Sequence, residues 1–189
     1  MAAFDDAVER TLHLEGGFVD DPQDPGGATN WGITIGVFHQ WAQAVLGIPG
    51  SRENLESLPR DSAVKIYKAR YWDTMRLDEV AAIDEAVAQE LFDTGVNMGQ
   101  GTAVKMLQRL LNAFNNQGQH YAELHVDGDL GNRTLEALRA YADRRGAEGP
   151  RVLVTALNCL QGSRYLDIVE RQPKAEKFFY GWLKHRVAD

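Results

Sequence analysis

The sequence predicts an all-α fold of two closely packed helical lobes, and three observations carry that expectation. Apolar residues recur at the three-and-four spacing of helices along most of the 189 residues. No segment alternates apolar and polar residues for long enough to make a half-buried strand, although a short β-hairpin fits inside the loop of residues 15–34. Glycines and capping residues fall between the apolar stripes, where helices stop and start.

Taken in order, Phe4, Ala7, Val8, Thr11 and Leu12 predict a helix over residues 2–14. Ile35, Phe38, Trp41, Ala42, Val45 and Leu46 predict a second, closing at Gly47. Asp61 is expected to cap a helix carrying Val64, Tyr67 and Tyr71. An apolar pattern runs from Ile83 through Val87, Leu91 and Val96 to a break at Gly99-Gln100-Gly101. Thr102 is then expected to cap the stripe Val104, Leu107, Leu110, Leu111, Phe114, and Asn132 the stripe Leu135, Leu138, Tyr141. Val152, Leu153, Ala156, Leu157 and Leu160 open a helix, bent or broken at Gly162, that ends before Pro173; Phe178, Phe179, Trp182 and Leu183 mark the last.

The chemistry concentrates in residues 15–34. At about 100° per residue, position 15 lies roughly 20° from position 4, so Glu15 continues the core-facing stripe at the last turn of its helix. Gly16 and Gly17 follow, a pair suited to stopping a helix and turning the chain. Apolar surroundings and the negative end of the helix dipole both disfavour an ionised carboxyl, so Glu15 is expected to hold its proton above the ordinary glutamate value of about 4.3. Glycoside hydrolysis needs such an acid beside the leaving oxygen and a second carboxylate that stays charged. Asp20, Asp21 and Asp24 supply the candidates for the second role, in a loop punctuated by Pro22, Pro25, Gly26 and Gly27.

The run Glu-Gly-Gly, Asp-Pro, Asp-Pro-Gly-Gly, Thr, Gly-Ile-Thr over residues 15–34 resembles the signature of the glycoside hydrolase family 108 N-acetylmuramidases, lysozyme-like endolysins and bacterial wall hydrolases. That resemblance implies a lysozyme-like helical fold, with Glu15 as catalytic acid, Asp21 and Asp24 at the acidic positions and Thr29 at the motif's threonine. Asp20 falls where the family often has asparagine and ranks lower. The spacing of Glu15, Asp24 and Thr29 is also similar to the Glu, Asp, Thr arrangement of phage-type lysozymes, with the threonine offset by one. The resemblance calls for no cofactor.

Substrate contacts are expected from Trp31 and from the aromatic cluster Tyr67, Tyr71 and Trp72, whose counterpart in the family is a similar aromatic helix; sugar rings stack on such faces. Backbone groups at Gly26 and Gly27 are expected to hold the sugar. Further on, the stripe 104–112 followed by Val126-Asp127-Gly128, Gly131, Thr134 and Ala137-Leu138 is similar to a peptidoglycan-binding repeat. Asp127 and Gly128 make a tight turn there, Gly131 permits a left-handed residue and Asn132 caps the next helix. The expected division is a catalytic region over residues 1–95 and a peptidoglycan-binding region over residues 96–189.

A net charge of −7 and a pI near 5.2, with no basic run, argue against nucleic acid as a partner and fit poorly with electrostatic capture by an anionic wall. The lone Cys159 excludes an intrachain disulfide and reads as a small buried hydrophobe on its helix. His13, His39, His120, His125 and His185 show no ligand spacing, so no metal is expected. The start Met-Ala-Ala-Phe-Asp-Asp lacks a signal-peptide pattern and no stretch approaches about 20 apolar residues, so cytoplasmic synthesis is expected, with no integral membrane segment. A holin or exporter would then give access to the wall. We expect a monomer that acts on peptidoglycan glycan strands as a muramidase; the alternatives are a lytic transglycosylase, a non-catalytic wall-binding module and a secretion activator of the kind described in the same family.

Overall fold

The computed structural model describes residues 2–14, 17–20 and 27–188. The fold is all-α with one two-stranded hairpin, as the sequence predicts. It divides into two compact units, residues 1–74 and 75–189.

In the first unit, α1 (Ala2–Leu14) buries Phe4, Ala7, Val8 and Leu12, the predicted stripe. The chain returns through an antiparallel bridge between Val19 and Thr29, then forms β1 (Thr29–Asn30) and β2 (Ile33–Thr34), paired Thr29 to Thr34 and Asn30 to Ile33. α2 (Ile35–Leu46) starts where Thr34 Oγ1 accepts from the Val37 amide at 3.3 Å and ends at Gly47, whose φ of 70° closes the helix as expected. After α3 (Arg52–Glu56) comes α4 (Arg60–Tyr67). The boundary residue of α4 is Pro59, which corrects the expectation that Asp61 caps it. Pro59 is already extended, and its carbonyl accepts from the Ala63 amide at 3.1 Å, so Asp61 falls inside the first turn, where its charge complements the helix dipole. α4 runs on into a π-helical turn, Lys68–Asp73.

The second unit strings α5 (Leu77–Ala81), α6 (Glu85–Met98), α7 (Gln100–Phe114), α8 (Asn132–Arg145), α9 (Gly149–Arg171) and α10 (Glu176–Arg186) around a core of Leu91, Phe92, Leu107, Leu111, Leu138, Leu153 and Leu157. α9 packs on α6, α7, α8 and α10. Both expected caps here are corrected. Gly99, at φ 89°, precedes α7, and Thr102 lies within the first turn. Gly131 precedes α8 and Asn132 opens it, its Oδ1 accepting from Arg76 Nη2 at 2.9 Å. Glycine is tolerated at helix starts because it leaves the first amides open to solvent, so the nearest Thr or Asn does not always take the cap. Gly131 is extended at φ −82°, not left-handed; the left-handed residue of that loop is Gly128 at φ 85°.

A Cβ on Gly128 would sit 2.9 Å from the Gly101 carbonyl oxygen and 3.1 Å from Lys105 Cε. Positive φ and a backbone clash act together there. Gly128→Ala is therefore expected to lose about 2 kcal/mol of stability, measured as a lower urea midpoint at unchanged m.

The long connection between α7 and α8 is held by a ladder of amide side chains on α7 and at its C-terminal cap. Gln108 Nε2 donates to Asp127 Oδ1 at 2.8 Å and to the Asp129 carbonyl at 3.0 Å, while its Oε1 accepts from the Gly128 amide at 2.9 Å. Asn112 pairs both ways with the Leu124 backbone at 2.8 and 2.9 Å. Asn115 Nδ2 donates to the Tyr121 carbonyl at 2.9 Å, and its Oδ1 accepts from the Tyr121 amide at 3.0 Å. Each amide satisfies loop backbone that sheet or helix would otherwise satisfy.

α9 runs unbroken through Gly162, with Leu183 and Val187 of the α10 end each 3.7 Å from where a Cβ would be, so the glycine admits α10 rather than breaking α9. Cys159 is exposed, which corrects the expected buried position. Leu153, Leu157, Gln161, Tyr165 and Val169 form the inward face at four-residue spacing, and position 159 lies roughly 200° of helix from 157. Where α6, α9 and α10 meet, the core is polar. Asp93 Oδ1 accepts from Arg186 Nη1 at 2.7 Å and Oδ2 accepts from Gln161 Nε2 at 3.1 Å. Thr94 Oγ1 donates to Glu90 Oε1 at 3.1 Å, and Asn158, its amide turned nitrogen-inward, donates to both Glu90 oxygens at 3.0 Å. Burial first, and the Asp93 charge second, push the Glu90 carboxyl up to about 7.

Candidate active site

The hairpin of residues 29–34 is the described part of the signature loop, and three side chains fasten it to the α3–α4 segment. Its two-residue turn, Trp31 at φ 52° and Gly32 at φ 71°, has the paired positive φ of a type I′ turn, which matches the natural twist of paired strands. Asn30, only 4% exposed, donates through Nδ2 to the Leu55 carbonyl at 2.8 Å and the Glu56 carbonyl at 3.1 Å. Trp31 Nε1 donates to the Leu58 carbonyl at 2.9 Å. Tyr67 Oη donates to the Trp31 carbonyl at 3.0 Å. Four hydrogen bonds from three side chains thus fix a turn whose tryptophan backbone is strained.

At the other end of the loop Gly27 stands at φ 68° and the Ile35 amide donates to the Ala28 carbonyl at 2.8 Å, so the chain entering the hairpin is tied to the start of α2. Thr29 is half-buried, its backbone bonded both ways to Val19 at 2.8 Å. Asp20 is ion-paired with Arg52, and the Arg52 guanidinium lies 5.9 Å from the Phe18 ring centroid. Asp20 thereby has a structural partner on α3. Glu15, Asp21, Asp24 and Gly26 lie outside the described residues.

The aromatic cluster splits in two. Trp72 is 1% exposed and packs edge-on against Phe4 of α1 at 5.3 Å; Tyr67 is 2% exposed. Both rings belong to the core, so the expectation that they line a sugar groove is corrected. Five residues apart, they share an inward face because the π turn adds a residue to the helix. Tyr71 stays half-exposed, stacked on Tyr67 at 5.7 Å with Arg70 5.1 Å above its ring. Trp31 is likewise half-exposed. Of the four aromatics, Trp31 and Tyr71 are the two that stay partly exposed, and Tyr67 joins them through the Trp31 carbonyl and its own ring.

Sequence reasoning missed Asn30 and the Tyr67 hydroxyl as the anchors of the hairpin. An asparagine beside a turn reads as a turn former; its burial against α3 depends on contacts 25 residues away. Nearby, Arg60 pairs with Glu9 of α1 at 2.5 Å, a hydrogen bond that holds the Glu9 carboxyl below its ordinary range. Among the described residues no group of His, Cys, Asp and Glu could hold a metal ion, and no helix is long and apolar enough to cross a membrane.

No curated protein matches this chain. Among solved structures, that of Brucella abortus SagA is 27% identical, with a TM-score of 0.68 over 99% of this chain and 90% of that one. The predicted peptidoglycan domain matches residues 102–187, and the glycosyl hydrolase 108 profile matches residues 8–99, a span that holds the signature loop, the hairpin and α2 to α6. Residues 8–99 are thus a glycosyl hydrolase 108 region, followed by a predicted peptidoglycan domain over residues 102–187.

Proposed function

We propose that this glycoside hydrolase is a muramidase that cleaves the β-1,4 bond between N-acetylmuramic acid and N-acetylglucosamine in peptidoglycan. The single observation that carries the reading is the family match across residues 8–99, which spans Glu15 and its loop. Glu15 protonates the glycosidic oxygen as the bond breaks; Asp24 or Asp21 faces the oxocarbenium-like sugar, and Thr29 orients water. Trp31 and Tyr71 stack on sugar rings, and backbone groups at Gly26 and Gly27 hold the strand. Support for a precise site comes from the pinned hairpin, since groups that act on a reacting bond must be held to within about 0.5 Å. The proposed division of labour is residues 1–95 for catalysis and residues 96–189 for wall binding, with α6 shared between them. Holin- or exporter-dependent access and a monomeric state complete the proposal.

Digestion of purified peptidoglycan tests it. Mass spectrometry of the products is expected to give muropeptides ending in reducing N-acetylmuramic acid. Products lighter by one water would replace the hydrolase with a lytic transglycosylase, and binding without sugar release would leave a wall-binding module.

A further inference from the structure

The overall charge of −7 conceals a strong division along the chain. Over residues 8–99, seven Lys and Arg stand against fifteen Asp and Glu, a net −8; over residues 102–187, thirteen stand against nine, a net +4. The excess of positive charge continues into α10. Lys177 and Lys184 are exposed there, and Tyr180 is 77% exposed, the most open large hydrophobic residue described. At about 100° per residue, Lys177, Tyr180, Gly181 and Lys184 fall within a sector of roughly 100° on one side of α10. The opposite side faces inward through Trp182, stacked on Tyr165 at 5.0 Å, and through Arg186 on Asp93.

The outer face therefore carries an exposed tyrosine with Lys184 four residues after it and Lys177 three residues before it, the Lys177 ammonium lying 4.7 Å from the Phe178 ring centroid, and with the exposed Glu176 at its N-terminal edge. Gly181 lies beside them with nothing within 4 Å of where its Cβ would be, which leaves open space for a strand to approach the backbone. A tyrosine so exposed is scarcely buried by the fold, and the two lysines, two turns apart, put exposed positive charge on the same side of the helix. The complementary ligand carries flat apolar sugar faces and carboxylates at intervals. Peptidoglycan has both, in its pyranose rings and in its stem peptides.

We propose that the Lys177–Tyr180–Lys184 face of α10 is a wall-docking surface that stacks a sugar ring on Tyr180 and pairs stem-peptide carboxylates with the two lysines. The proposal rests on the reading of this protein as wall-directed, but it concerns binding and is separable from the cleavage chemistry. It also assigns the electrostatic capture that total charge alone argues against.

The test is cosedimentation of the full chain in the cold with peptidoglycan stripped of phosphate-bearing polymers, alongside release of reducing sugar from the same material. Wild-type affinity is expected to fall about tenfold between about 0.05 M and about 0.5 M NaCl, because salt screens exposed charge pairs. Lys177→Glu with Lys184→Glu is expected to bind about tenfold more weakly at the lower salt and to lose most of the salt dependence. Tyr180→Ala is expected to lose roughly tenfold at every salt concentration, as stacking on a tyrosine face is not screened. Arg133→Glu with Arg144→Glu makes the same charge change on exposed sites of α8 and is expected to bind within about twofold of wild type. Salt-independent wild-type binding, equal losses in the α8 and α10 variants, or no sedimentation of wild type would each overturn the docking surface. Sedimentation as expected with no reducing sugar released would instead overturn the muramidase reading and leave the surface standing.

Discussion

Glu15→Gln is expected to slow release of reducing sugar from peptidoglycan by a factor on the order of 10³ while leaving the amount of protein sedimented with the wall unchanged. The amide has nearly the shape of the acid but no proton that it can give up at neutral pH, so the substitution removes the donation step and little else. Departure of an unprotonated alkoxide from an acetal is the difficulty the acid overcomes. The alkaline limb of the wild-type rate profile should carry the same signature, since rate falls as the donor ionises and the variant, lacking the donor, should show no such limb. Wild-type rates in Glu15→Gln would remove the glutamate from the mechanism. The companion series Asp24→Asn and Asp21→Asn ranks the second carboxylate: the residue facing the sugar cation should cost a factor on the order of 10² or more, the other far less.

The second large effect concerns stability. Glu90 is raised from 4.5 to about 7 by burial and by Asp93, so folding binds its proton more tightly than the open chain does. Below pH 4.5 both states are protonated and the folded state bears no penalty. Between 4.5 and 7 only the folded state holds the proton, so stability declines with rising pH, by about 3 kcal/mol in all, and above 7 it stays at the lower level. Glu90→Gln keeps the neutral shape and cannot ionise. Its melting midpoint is expected to exceed that of wild type by roughly 5–10 °C at about pH 8 and to match it at about pH 4.5. An equal difference at both pH values would show that packing, not titration, separates the two.

Much of the architecture was legible because burial writes a period into the sequence. Phe4, Ala7, Val8 and Leu12 recur at helical spacing, and all four are in the core. The hairpin was legible only as a short pairing somewhere in residues 15–34; its turn was not, since Trp31 takes a positive φ usually left to Gly, Asn or Asp. Helix starts were harder, because the first turns of α7 and α8 project polar residues into solvent and add nothing to the apolar stripe. The amides Gln108, Asn112 and Asn115 were passed over as polar positions, yet their spacing of four and three keeps phase with the buried face of α7. Polar residues in register with a core stripe are the signal that would have found them. The sequence placed Trp31 and Tyr67 in one candidate set without revealing that a hydroxyl joins them, because that contact spans 36 residues. Trp72 illustrates the opposite error: an aromatic beside a substrate signature can simply be filling space between helices.

The π turn at Lys68–Asp73 also bears on how this segment can vary. It holds one residue more than an α-helix needs over the same rise. A chain shortened by a single residue there could still close its hydrogen bonds in α geometry, so a one-residue gap would be harmless to the helix as such. The residues beyond the gap would keep their faces. Tyr67 and Trp72, four apart in a continuous α-helix instead of five apart across a π turn, would still share one side, and the ring that meets Phe4 would stay inward. Among homologues the spacing of this aromatic pair is thus expected to read five where the π turn is kept and four where it is lost, with the same contact made in both.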